Sequence, residues 1–219
     1  MIIGPSTAAL FSPQIALAMI VLLEAFSTIP LAWKNRKQVS WPEVIPILIG
    51  FMCLTPFGIW LLKSGDPTAL RWFISISILI VVTILWSGWK YTGPRNAPVS
   101  FSFGALGGFM GASAALPGPS VLVYWLASTL KAAQVRANMI WYLFLTDLII
   151  LIGYVFGDVF SFVSAQLAII TAPAYMIGIW IGSKLFSTAS ESAYTTVAYV
   201  MILVAAITSL PILDSIIRE

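Results

Sequence analysis

The sequence predicts an all-α polytopic membrane protein with an inverted structural repeat, six full spans and a re-entrant broken helical hairpin. Three observations carry this prediction. Hydrophobic residues make up 60% of the 219 residues and charged residues only 9%, whereas a soluble domain carries about 25% charge. Several apolar segments reach the roughly 20 residues that a helix needs to cross a bilayer. Two short motifs recur in the same order in the two halves of the chain.

The six predicted spans are helices, because a backbone that faces lipid must satisfy its own hydrogen bonds. They cover residues 11–33, 44–62, 70–90, 137–157, 163–185 and 193–213. A seventh apolar run, 101–130, is interrupted by Pro117, Gly118 and Pro119, a combination that breaks a helix. This run is either one long kinked span or a hairpin of two half-helices that enters and leaves on the same side.

The distribution of Lys and Arg favours the hairpin. With the basic loop after the first span placed in the cytoplasm, a hairpin gives eight basic residues inside and three outside, whereas a full crossing gives six and five. Cytoplasmic loops of membrane proteins are enriched in Lys and Arg. We therefore expect a multi-pass protein of the cell membrane, the bacterial inner membrane, with both ends of the 101–130 run facing the cytoplasm.

Two repeated tripeptides predict the inverted repeat. Gly-Pro-Ser occurs at 4–6 and at 118–120, and Gly-Ile-Trp occurs at 58–60 and at 178–180. A unit of one hairpin and three spans crosses the membrane an odd number of times, so its second copy is inverted, as in many transporters. The copies are predicted at 1–93 and 94–219. Only three residues precede the first Gly-Pro-Ser, so the leading hairpin arm of that copy is either lost or upstream of this chain's start.

The Gly-Pro-Ser motifs predict an anion site at two half-helix starts near the middle of the membrane. Proline is tolerated in the first turn of a helix, and the free N–H groups and dipole of a helix start act like about half a positive charge. The second half-helix is expected at 121–130, with Ser120 capping or lining its start. Ser6 and Ser120 are expected to face one small polar cavity, although a kink that serves only packing is the alternative. The expected substrate-binding residues of the two motifs are Gly4, Pro5, Ser6, Gly118, Pro119 and Ser120.

Two acids and one amide complete the candidate site. Glu24 and Asp147 lie near span centres, where an ionisable group costs at least about 2.5–3.5 kcal/mol and suggests a function. A carboxyl group buried beside a bound anion is favoured in its protonated form, so either acid, and Asp147 before Glu24, is a candidate for proton coupling. The alternative for each is a neutral acid bonded to a neighbouring helix. Asn138 is expected either to bind substrate or to make an interhelical hydrogen bond.

Composition also limits the function classes. The chain has no His and one Cys, which leaves no His/Cys metal site, no His-ligated haem and no internal disulfide. We expect no cofactor and no metal, and an enzyme is disfavoured because the chain lacks both His and paired carboxylates. The basic residues lie in loops and report orientation rather than nucleic-acid binding. The expected partners are the lipid bilayer and a small anion, and a homo-oligomer is compatible with the sequence.

Two stretches resemble a known family. Residues 107–128, GGFMGASAALPGPSVLVYWLAS, and residues 132–148, AAQVRANMIWYLFLTDL, are similar to the second signature of the sulfite exporter TauE/SafE family, also called toluene-sulfonate uptake permeases. The first signature of that family is reduced here to Gly4-Pro5. The resemblance implies a secondary transporter of sulfur-containing oxyanions or organosulfonates, such as sulfite, thiosulfate or a sulfonate. An anion channel or a non-transporting membrane subunit is the alternative.

Overall fold

The computed structural model describes residues 12–89, 91–126 and 128–188. This part of the chain is helical apart from its connecting loops, and the described helices are α1 (Pro13–Asn35), α2 (Trp41–Ser64), α3 (Pro67–Trp86), α4 (Ala97–Ala114), α5 (Gly118–Leu126), α6 (Ala132–Phe156) and α7 (Phe162–Thr188). Five of them, α1, α2, α3, α6 and α7, are long and apolar enough to cross a membrane. They match the first five predicted spans. The predicted sixth span, 193–213, and the first Gly-Pro-Ser motif lie outside the described residues.

Polar N-cap side chains, each followed within two residues by proline, start several helices. Ser12 accepts a hydrogen bond from the Ile15 N–H at the start of α1 (3.3 Å). Asp66 accepts from the Thr68 N–H (2.9 Å) and a neighbouring N–H at the start of α3, and Asn96 accepts from the Val99 N–H in α4. These side chains satisfy N–H groups that a helix start leaves free. The helices are therefore anchored at their ends by their own sequence.

Helices α2 and α4 run parallel in very close contact. A Cβ built on Gly104 would overlap the Ile47 carbonyl, and a Cβ built on Gly108 would overlap the Phe51 carbonyl. On the other side of the interface, a Cβ on Gly50 would overlap the Phe101 carbonyl. Glycine at these positions lets two membrane helices approach backbone to backbone. The small residues Gly104 and Gly108 of α4 thus serve helix packing.

The chain reverses direction between α4 and α5. Helix α4 ends with Ala115 in the left-handed conformation (φ 54°), and the Leu116 N–H donates to the Met110 carbonyl (3.2 Å), a helix-ending pattern usually built with glycine. Helix α5 then returns along α4, because the hydroxyls of Ser100 and Tyr124 share a hydrogen bond (2.8 Å). The predicted reversal is present. Its second arm begins at Gly118 rather than at 121 and ends at Leu126 rather than at 130.

One end of the bundle collects the basic loops, and we call it the basic end. The loop between α1 and α2, the start of α4, the end of α5 and the start of α6 all meet there. The Asn138 side-chain oxygen Oδ1, near the start of α6, accepts from the Ser40 N–H before α2 (2.7 Å). Arg95 before α4 donates to the Tyr124 backbone carbonyl near the end of α5 (2.7 Å). Both arms of the hairpin therefore open toward the same end, which agrees with the charge distribution predicted for a hairpin.

Helices α1, α6 and α7 enclose the region beside the hairpin break. Helix α1 runs toward the basic end and α6 runs away from it, so the two are antiparallel neighbours. Helix α7 runs parallel to α1, since Met19 contacts Thr171 (3.9 Å) and Ser27 contacts Met176 (3.7 Å). These directions are the ones expected for an inverted repeat, but the repeat at 1–93 and 94–219 stays a prediction, because parts of both copies lie outside the described residues.

Candidate functional site

A cavity of about 330 Å³ lies beside the hairpin break. Helices α1, α6 and α7 form its walls, and the segment from the end of α4 to the start of α5 closes one side. Its lining residues are Glu24, Ser27, Thr28, Leu31, Ala115, Leu116, Pro117, Gly118, Pro119, Leu143, Asp147, Tyr175 and Ile179. The sequence analysis identifies the two acids and the Gly-Pro-Ser motif independently. The structure places both acids, together with Gly118 and Pro119 of that motif, around one cavity.

The start of α5 lies against this cavity. Gly118 and Pro119 both line it, and the first N–H groups of a helix have no partner within the helix. The Ser120 hydroxyl instead donates to the Phe103 carbonyl of α4 (3.3 Å), and Ser120 is not among the lining residues. Because α5 begins at Gly118, Ser120 lies inside its first turn and is not the N-cap that the sequence suggests.

The two acids approach the cavity from different helices. Asp147 on α6 is only 2% exposed, and Glu24 comes from α1. Within the described ranges, the cavity lining contains no Lys or Arg. A carboxyl group accepts hydrogen bonds when ionised and donates one when protonated. The charge of this cavity therefore depends on the protons that its two acids carry.

The hydroxyl groups of Ser27 and Thr28 are already used by α1. The Ser27 hydroxyl donates to the Leu23 carbonyl (2.6 Å), and the Thr28 hydroxyl donates to the Glu24 carbonyl (2.6 Å). Their oxygens can still accept a hydrogen bond, but their protons are committed to the helix. Among the described lining residues, the groups that can still donate to a bound molecule are the Tyr175 hydroxyl, a protonated acid and free backbone N–H groups at the break.

Asn138 lies away from the cavity. It is fully buried near the start of α6, and its side-chain oxygen Oδ1 accepts a hydrogen bond from the Ser40 N–H just before α2. Of the two roles that the sequence leaves open, the structure contains the interhelical hydrogen bond. Asn138 thus joins α2 to α6 at the basic end. Gly4, Pro5 and Ser6 lie outside the described residues.

Sequence reasoning missed two tyrosines of α6 that support the break. The Tyr142 hydroxyl donates to the Pro117 carbonyl (2.9 Å), and the Tyr154 hydroxyl donates to the Ala112 carbonyl (2.6 Å). The Ala112 carbonyl lies in the last turn of α4, where a helix leaves acceptors without partners, and the Pro117 carbonyl lies in the break before α5. Backbone of this kind is tolerated at membrane depth only where it is satisfied inside the protein.

A sequence signal for these tyrosines exists. Every fourth residue of α6 from Asn138 onward is fully buried, and four of the five are polar: Asn138, Tyr142, Thr146, Ile150 and Tyr154. Residues four apart lie on one face of a helix. A polar stripe of this length in an apolar helix indicates a face that binds backbone or substrate rather than lipid.

The family model Sulfite exporter TauE/SafE matches residues 1–209, which include every residue of the cavity and both Gly-Pro-Ser motifs. No curated protein and no solved structure matches the chain significantly.

Proposed function

Because the chain belongs to the sulfite exporter TauE/SafE family, we propose that it is a secondary transporter of small sulfur-containing oxyanions or organosulfonates. Its five described spans and its family identify it as a multi-pass membrane protein. The single observation that carries the proposal is the shared cavity, in which the start of α5 and the two acids come together. The bacterial inner membrane is the proposed location.

The anion is proposed to bind at the start of α5. The N–H groups and the dipole at a helix start favour negative charge without a buried cation, and no Lys or Arg lines the described part of the cavity. A negatively charged sulfur oxyanion offers several acceptor oxygens to such donors. The first Gly-Pro-Ser, with Ser6, is proposed to supply the symmetry-related start, so that two helix starts share one anion.

Asp147 is proposed to couple anion movement to protons, with Glu24 as the second candidate. An ionised carboxylate in the same cavity repels an anion, whereas a protonated one can donate a hydrogen bond to it. Proton and anion would then enter together, and loss of the proton on the other side would expel the anion. Supporting this order, Asp147 lies on the helix that also holds the hairpin break through Tyr142.

Transport into proteoliposomes tests the proposal. Labelled sulfite, thiosulfate and small sulfonates are offered with and without a pH gradient, and saturable uptake of at least one of them is expected. Accumulation above equilibrium separates a carrier from an anion channel or a non-transporting subunit, because a channel cannot move its ion uphill. Uptake of none of these anions by the purified chain would contradict the proposed function.

Asp147→Asn tests the coupling role. The amide mimics the protonated acid, so anion binding and counterflow exchange should survive while accumulation driven by the pH gradient is lost. Glu24→Gln is the matched control, since it changes the other acid of the same cavity. If Asp147→Asn transports with an unchanged pH dependence, Asp147 is a packing residue and coupling lies at Glu24 or involves no proton.

Single-cysteine labelling tests the re-entrant topology. Thr92 and Lys131 are exposed residues just before α4 and just after α5. A cysteine at either position should react with a membrane-impermeant thiol reagent from the same, cytoplasmic side. Reaction from opposite sides would mean that the 101–130 run crosses the membrane.

A further inference from the structure

Tyr142 is held rigidly in the core beside the hairpin break. Its ring makes edge contacts with Phe51 of α2 (5.9 Å between centroids) and with Trp125 of α5 (6.0 Å). The side chain is fully buried. From this packed position the hydroxyl donates to the Pro117 carbonyl at 2.9 Å.

The Pro117 carbonyl belongs to the peptide group that opens α5. A peptide group is planar, and in its trans form the carbonyl and the N–H point in opposite directions. The described chain contains no cis peptide bond, so the Pro117–Gly118 peptide is trans. A hydrogen bond that fixes the direction of the Pro117 carbonyl therefore also fixes the direction of the Gly118 N–H, the first N–H of α5.

Gly107 of α4 leaves the space for this arrangement. A Cβ built on Gly107 would lie 2.5 Å from the Tyr142 hydroxyl oxygen, 3.1 Å from the Pro117 carbonyl oxygen and 3.2 Å from the Ser120 hydroxyl oxygen. Three elements, α4, α6 and the start of α5, thus meet at one point. Any larger residue at 107 would displace the hydroxyl from the carbonyl.

We propose that Tyr142 is a positioning residue of the anion site: its hydroxyl sets the orientation of the Pro117–Gly118 peptide and thereby the donor geometry of the α5 start. The inference rests on the proposed function, because it assumes that the α5 start binds the anion. Tyr142 does not line the cavity, so it acts on the anion only through the peptide group that it holds.

Tyr154 provides a matched control on the same helix. It is also fully buried, and its hydroxyl also donates to a backbone carbonyl, that of Ala112. Ala112 lies within α4 and does not line the cavity. Replacing either tyrosine by phenylalanine keeps the ring and removes one hydroxyl, so both variants lose one buried hydrogen bond of the same kind.

The experiment measures transport kinetics of Tyr142→Phe, Tyr154→Phe and the wild type with labelled thiosulfate in proteoliposomes. Tyr142→Phe should raise the KM roughly tenfold, in line with the loss of a well-placed donor geometry, while the KM of Tyr154→Phe stays within about twofold of the wild type. Both variants should lower the unfolding temperature in detergent by a similar amount. An unchanged KM in Tyr142→Phe, or an equal rise in both variants, would overturn the inference.

Hydrogen exchange measured by mass spectrometry separates this inference from the proposed function. A peptide covering residues 115–121 should exchange faster in Tyr142→Phe than in Tyr154→Phe, whether or not an anion is transported. If the wild type transports none of the anions but this difference is seen, the proposed function fails while the hold of Tyr142 on the break stands. If the wild type transports thiosulfate and the exchange of this peptide is the same in both variants, the inference fails and the proposed function stands.

Discussion

Replacing Gly58 by alanine should destabilise the protein, whereas the same replacement at Gly178 should not. The two glycines open the two copies of the Gly-Ile-Trp motif, one in α2 and one in α7. A Cβ built on Gly58 would lie 2.6 Å from the Phe109 carbonyl oxygen and 2.9 Å from the Ala112 Cβ, both on α4. Among the described residues, no heavy atom lies within 4 Å of a Cβ built on Gly178.

The size of the effect follows from the backbone contact. Real Cβ atoms essentially never approach another heavy atom closer than 3.0 Å. The Cβ of an alanine at position 58 would lie 2.6 Å from the Phe109 carbonyl oxygen, so α2 and α4 would have to separate locally by at least 0.4 Å. The obstacle is a helix backbone, which cannot rotate away as a side chain can. Overpacking of this kind costs about 1–3 kcal/mol.

The comparison of the two variants isolates this packing cost. Both replacements put alanine in place of glycine in a helix interior, and both gain the same intrinsic helix propensity of about 1 kcal/mol. That gain cancels in the difference between the variants, which leaves about 1–3 kcal/mol of packing. For a chain of this size, the unfolding temperature of Gly58→Ala should lie roughly 2–12 °C below that of Gly178→Ala.

Thermal unfolding in detergent, followed by size-exclusion chromatography with fluorescence detection, measures this difference. Gly178→Ala should unfold at or above the wild-type temperature. Equal losses in the two variants would refute the argument, because they would mean that the α2–α4 contact is no tighter than the surroundings of Gly178.

Three further changes test other contacts. Arg95→Lys should lower the unfolding temperature by several degrees, because lysine cannot both stack on the Tyr124 ring (4.9 Å) and donate to the Tyr124 carbonyl as the guanidinium does. An unchanged unfolding temperature in the same detergent assay would contradict this prediction. Lys63→Met should change the unfolding temperature by less than about 2 °C. The ion pair of Lys63 with Asp158 (3.2 Å) joins side chains that are 53% and 85% exposed, and such pairs contribute about 0–1 kcal/mol to stability. A larger fall in the unfolding temperature would show that the ion pair stabilises the fold. Cys53→Ser should leave both the unfolding temperature and anion uptake unchanged, since the thiol is exposed, and loss of either would show that Cys53 is packed.

The features that sequence alone predicts are those written locally in the chain. The length of an apolar run determines whether a helix can span a membrane, so the first five spans could be found within a few residues. The Pro117-Gly118-Pro119 break is equally local, because two prolines flanking a glycine disrupt a helix more strongly than one proline does, and single prolines such as Pro30 and Pro56 lie inside α1 and α2. Helices α2 and α3 begin about three residues before the apolar runs, at Trp41 and Pro67, because proline and polar residues such as Glu43 and Thr68 occupy their first turns.

The directions of side chains and the contacts between distant segments were decided only by the tertiary structure. Successive helix residues are turned by about 100°, so Gly118 can line the cavity while Ser120, two residues later, faces α4. Asn138 binds the start of α2, 98 residues away in sequence, and Tyr142 binds a carbonyl 25 residues before it. The sequence by itself determined that this is a polytopic helical membrane protein, and it predicted a broken hairpin and two acids near span centres. That both acids and the break meet in one cavity depends on how α1, α6 and α7 pack, because packing free energy is shared among many contacts and no single stretch of sequence contains it.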